Sequence, residues 1–219
     1  MKHLELAEIA KLLSEGTPFA ESCRHLAENC PTCGERLGQV DALMKRFRHW
    51  DAETVVREGL AADRLFEALL KKGQGLAGWS ALVEEKAKYQ TWGVAWVALE
   101  RAQAQIADVA TRAHAWELAL LAVTIAGYLG ASYHPDSIAD LKALAHATAA
   151  AAGSPEDGSF DTLRQVAAAM AALDQGSGDP AVARDVVDLL SRALCNVRGP
   201  RSRPGSPPTV RRRRAARRG

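Results

Sequence analysis

The chain has 219 residues and a hydrophobic fraction of 47%, enough for one packed domain or a small domain in front of a larger one. The net charge of +2 hides an asymmetry. Residues 198–219 hold nine arginines and no acid, so residues 1–197 carry 19 basic against 26 acidic side chains, about −7. Such an acidic body does not look like a nucleic-acid binder, and only the tail does; the longest apolar run, Leu118–Leu129, is too short for a membrane span.

Alanine is abundant, β-branched residues are sparse and alternating patterns are absent, so the expected fold class is all-α. Residues 2–14 read as a first helix carrying Leu4, Ile9, Leu12 and Leu13, stopped near Gly16. Thr17 caps a second helix, with Pro18 at its first position, running to about Asn29. A third starts at Pro31 and presents Leu37, Val40, Leu43, Met44 and Phe47 at spacings of three and four. These three helices make up a predicted domain over residues 1–50.

Asp51 caps the next helix, which ends at Lys71-Lys72-Gly73 with cations and a glycine. A glycine-rich link, Gly73–Gly78, precedes a short helix over 79–87. Helices are then expected over about 90–107, 111–130, 136–152, 160–175 and 181–196. Trp92 and Trp96 fall at helical spacing and read as core. Residues 116–129 are apolar on nearly every side, which predicts a central helix. Long helices separated by short turns predict stacked helical hairpins over 51–197. The tail, 198–219, is Arg, Pro, Ser and Gly with a few small residues, and is expected to be disordered. GC-rich coding DNA read in a wrong frame gives this composition, so the tail is expected to be a frame-shifted or truncated end rather than a phosphate-binding arm.

Chemistry concentrates in His25-Leu-Ala-Glu-Asn-Cys30-Pro-Thr-Cys33, with His3 near the chain start. Thiolate and imidazole are the ligands zinc prefers, and four of them close a tetrahedral structural site. Cys-x-x-Cys sets two sulfurs on one turn. On an unbroken helix His25 and Cys30 would point about 140° apart. They converge only if the helix ends near Asn29, and Pro31 favours that, because the residue before proline avoids helical geometry. The predicted site is therefore Zn2+ held by His3, His25, Cys30 and Cys33. Cys23 lies about 200° from His25 on the same helix and reads as core. His49 and His114 carry no assignment. A domain of about 50 residues rarely builds an adequate core alone, and metal would supply the difference.

The four cysteines, Cys23, Cys30, Cys33 and Cys195, sit in a chain whose charged N-terminal segment has no secretory signal pattern. The expected compartment is cytoplasmic, where such cysteines serve metal or redox chemistry rather than a disulfide framework. A thioredoxin-type pair at Cys30 and Cys33 is the rival reading, but it needs a βαβ frame that the sequence does not suggest. No phosphate loop, nucleophile elbow or HExxH motif is present.

The His25…Cys30-Pro-Thr-Cys33 arrangement resembles the zinc-binding anti-sigma-factor fold. That family places one ligand on its first helix and His-x3-Cys-x2-Cys where the second helix meets the third. His3 would replace the usual cysteine of the first helix, and the histidine-to-cysteine spacing is longer by one residue. A related bacterial group is closer: an HLxxxCxxC finger followed by a tetratricopeptide-like helical region. Lys88–Gly93, Leu118–Val123 and Asp140–Lys142 carry its character. With His146 at the first signature position of such a repeat, Ala149, Ala150, Val166 and Ala169 occupy the following ones. A lone repeat is unstable without neighbours, so the chain looks like the front of a longer array. The resemblance implies a non-enzymatic regulator that binds a sigma factor or another protein partner. The alternatives are a helical-repeat scaffold with a purely structural zinc and, below it, a thiol redox protein.

Overall fold

The computed structural model describes residues 3–14, 29–47, 52–153 and 158–197. Cys23, His25, His49, Asp51, most of the second expected helix and the arginine-rich tail lie outside these residues. Among the described residues the chain is all-helical, with nine α-helices, one 3-10 turn at Ala87–Tyr89 and no strand. The helices are α1 (Leu6–Ser14), α2 (Pro31–Arg46), α3 (Ala52–Lys72), α4 (Gly75–Glu85), α5 (Trp92–Gln105), α6 (Arg112–Tyr128), α7 (Pro135–Ala152), α8 (Gly158–Asp174) and α9 (Pro180–Val197).

α3 is a shared wall because its sequence carries two apolar faces. Val55, Ala62, Phe66 and Leu69 recur at helical spacing and bury against the later helices. Ala52 and Val56, about a quarter-turn round, form a second small core with Ile9, Ala10 and Val40. The N-terminal helices therefore pack directly on α3. Phe47, just past α2, is fully buried in the larger core and meets Trp92 edge to face, with ring centroids 5.2 Å apart.

α4 begins at Gly75, four residues earlier than the sequence suggests, so most of the expected glycine-rich link is helical. Gly75 has φ +62°, which an L side chain rarely adopts. A Cβ on Gly73 would collide with the Trp79 ring, and glycine there lets that indole fold back over the helix junction.

The expectation of a central helix over 116–129 needs adjustment. α6 buries Leu118, Leu121 and Ile125 but leaves Tyr128 exposed. The most enclosed helix is α7, which packs against α5, α6, α8 and α9. Its buried residues are mostly alanine, from Ala139 to Ala152. Alanine ranks low in hydropathy, yet its small volume lets four neighbours approach one axis. Buried Asp140 accepts from the Ser177 backbone N–H at 3.1 Å, which anchors the α8–α9 turn to this central helix.

Candidate metal centre

Asn29 is helical, and Cys30 is extended at φ −143° and ψ 109°. Pro31 explains the break, since its ring excludes helical geometry at the preceding residue and presets its own φ for the first helical position. Cys30 is thereby the N-cap of α2, and its carbonyl accepts from the Gly34 N–H at 2.9 Å. Cys33 stands three residues on, in the first turn. Cap and third helical positions face each other across a helix start, so both sulfurs meet on one side of the turn.

His3 arrives from 27 residues away. Its Nδ1 lies 3.3 Å from Cys30 Sγ and 3.9 Å from Cys33 Sγ. The three ligand atoms all fall within 4.8 Å of one another. With zinc–sulfur bonds of about 2.3 Å and zinc–nitrogen bonds of about 2.05 Å, a tetrahedron has a sulfur–nitrogen edge of about 3.6 Å. The two observed separations bracket that edge. The group could hold a metal ion, and Nδ1 is the nitrogen turned toward it. Burial grades across the cluster: Cys33 is buried, Cys30 partly so and His3 exposed.

Local electrostatics favour the thiolate. The Cys30 thiol is held below its ordinary range chiefly by the Cys33 backbone N–H facing its sulfur. Burial opposes this shift, while the Cys33 side chain, the Thr32 N–H and the Arg36 charge add to it. The Cys33 N–H approach falls short of a cap hydrogen bond. A depressed thiol sits at a helix start because the unpaired N–H groups there carry partial positive charge.

The segment that brings His3 in is fixed at two points. The Glu5 backbone N–H, at the start of α1, donates to Glu8 Oε2 at 2.7 Å. Arg36 Nη1, one turn after Cys33, donates to the Leu4 carbonyl at 2.6 Å and lies 3.5 Å from Glu5 Oε1. Sequence reasoning did not single out Arg36. Its only signal is the i+3 step from Cys33, which puts it on the same helix face.

Of the four expected ligands, the structure brings together His3, Cys30 and Cys33, while His25 lies outside the described residues. The other described histidines sit elsewhere. His114 stacks edge-on against Trp79 at 5.8 Å, and His134 is 3.5 Å from Asp136. His146 Nδ1 is 2.6 Å from Gln165 Oε1, and burial holds its imidazole below the ordinary range despite that contact. Among the described residues no second His/Cys/Asp/Glu group is close enough for metal. The βαβ frame of a thioredoxin-type pair is likewise missing from the described residues. No helix among them is long and apolar enough to cross a membrane. Compared with protein families, with curated proteins and with solved structures, the chain matches none.

Proposed function

We propose that the chain is a non-enzymatic regulatory protein whose N-terminal head, residues 1–50, is closed by zinc. His25 completes the site beside His3, Cys30 and Cys33, and the head binds a protein partner of the sigma-factor class to regulate transcription. The observation that carries this reading is the convergence of His3 on the Cys30-Pro-Thr-Cys33 turn. Two sulfurs and an imidazole, with no carboxylate among them, form a donor set suited to zinc rather than to a hard cation. A site closed by four protein ligands leaves no open position for substrate, so the metal would act on folding and not on chemistry.

Residues 51–197 serve in this proposal as tetratricopeptide-like hairpins. The packing order supports it: α5 packs on α6 and α7, and α7 packs on α8 and α9. Each first helix of a pair thus touches its own partner and the next first helix.

The scaffold reading is favoured by one observation of its own. α8 exposes Phe160 at 72%, Leu163 at 49% and Met170 at 53%, all on one face at i, i+3 and i+10. In the regulator the head makes the contact; in the scaffold this stripe does. Full-length variants separate the two. Glu35→Lys with Gln39→Lys alters exposed positions of α2, and Phe160→Glu with Met170→Glu alters the stripe. Capture of a purified sigma factor that is lost with the α2 pair and kept with the α8 pair supports the regulator. The opposite pattern supports the scaffold.

A further inference from the structure

We infer that Arg36 is a positioning residue for the metal centre, acting through His3 by holding the Leu4 carbonyl. This rests on the reading that His3, Cys30 and Cys33 bind a metal. The two cysteines need no help to meet, because they occupy the cap and first turn of one helix. His3 differs. It lies before α1, is exposed, and reaches the sulfurs only if the chain leaves α1 in one direction. Glu8 holds one edge of the Leu4–Glu5 peptide unit by accepting from the Glu5 N–H. Arg36 holds the other edge of the same peptide unit by donating to the Leu4 carbonyl at 2.6 Å. The peptide unit so held is Leu4–Glu5, one residue beyond His3.

Arg36 also belongs to the helix that carries both sulfurs, so its bond sets the histidine in the frame of the thiolates and not merely of α1. One guanidinium arm holds the carbonyl while the same nitrogen lies against Glu5, and the side chain remains 29% exposed. Residues that orient a metal ligand without touching the metal typically matter 10- to 100-fold for affinity.

The test is a cobalt(II) titration of the full chain as wild type, Arg36→Ala, His3→Ala and the double variant, read by thiolate charge-transfer and d–d absorption. Arg36→Ala should weaken cobalt binding about 10-fold, the lower end of that range, and its d–d spectrum should converge on that of His3→Ala. In the His3→Ala background the same change should matter less than about threefold, because a residue acting through another has nothing left to position. If Arg36→Ala leaves affinity and spectrum unchanged while His3→Ala alters both, the inference is overturned. It is equally overturned if Arg36→Ala is as costly without His3 as with it. Should Arg36→Ala lose helical signal, Arg36→Gln, which keeps a neutral donor, is read by the same criteria. A wild-type chain that gives no thiolate charge-transfer band removes the metal reading itself, and this inference with it.

Discussion

Arg46 and Glu100, 54 residues apart, are joined by Nε–Oε2 and Nη2–Oε2 contacts of 3.0 and 2.9 Å. The same guanidinium grips Asp63 through both terminal nitrogens. Glu100 in turn accepts from the Trp96 indole at 3.1 Å. The last turn of the helix that carries Cys30 and Cys33 is thus clamped to α3 and α5. The N-terminal helices and the later ones share this ion network as well as the small core around Val56.

Removing the clamp should loosen that junction. Arg46 is one-third exposed, so solvent screening limits its worth to about 1–2 kcal/mol for a bidentate network. Hydrogen bonding by Arg46 is the main cause holding the Asp63 carboxyl below the usual range, with burial opposing it. A depressed carboxylate contributes stability above its unfolded pKa and loses it as pH falls through the folded value. Urea melts of Arg46→Ala against wild type should therefore differ near neutral pH and draw together in acid. A gap that persists unchanged in acid would show that the ion network is not its source.

The Phe47 ring tests the junction from its apolar side. It is fully buried, and a Cβ placed on Gly59 would lie 2.7 Å from ring carbon Cε2. Phe47→Ala should cost about 3–5 kcal/mol. Gly59→Ala should force the ring off Trp92 and shift tryptophan emission to the red. Unchanged emission and stability in Gly59→Ala would mean that the ring does not pack where the structure places it.

Tyr133 gives a third prediction, at high pH. Its hydroxyl donates to buried Glu58 at 2.7 Å, and Glu58 also accepts from the Gly93 N–H at the start of α5. Burial first, then the Glu58 hydrogen bond, push the phenol up to about 12. A raised phenol pKa gives stability that is fully present below the unfolded value near 10, and this is lost as pH rises toward the folded one. The tyrosinate signal missing from Tyr133→Phe in an ultraviolet titration should be the part of the wild-type signal that appears near pH 12. Loss of a hydrogen bond to a charged, buried group should cost about 1.5–3 kcal/mol near neutral pH. A difference signal centred near 10 would contradict the burial.

Much of this was legible in the residues themselves. Pro31, by excluding helix at Cys30, marks both the end of one helix and the turn that pairs the sulfurs. Helical spacing exposed the core character of Trp92 and Trp96, and both are buried. What stayed hidden depends on partners distant in sequence. Nothing local announces that Arg36 will meet Leu4, or that Glu58 will meet Tyr133. Local hydropathy also pointed to residues 116–129 as the centre, whereas α7 is more enclosed, because enclosure there follows from small volume and not from hydropathy. The glycines at 73–78 read as a link, but at Gly73 the missing side chain admits the Trp79 ring and the backbone beside it.

The most direct test is metal content measured together with thiol accessibility on the purified full-length chain. A head closed by zinc predicts one zinc per chain, with Cys30 and Cys33 protected from alkylation until a chelator is added. A structural zinc contributes about 10–16 kcal/mol to small finger domains at neutral pH. Cys33→Ser should therefore abolish zinc retention and disorder residues 1–50, while α5–α9 keep most of their helical signal. A chain that carries no zinc, with both thiols alkylated at the rate of a free peptide, would contradict the metal centre outright.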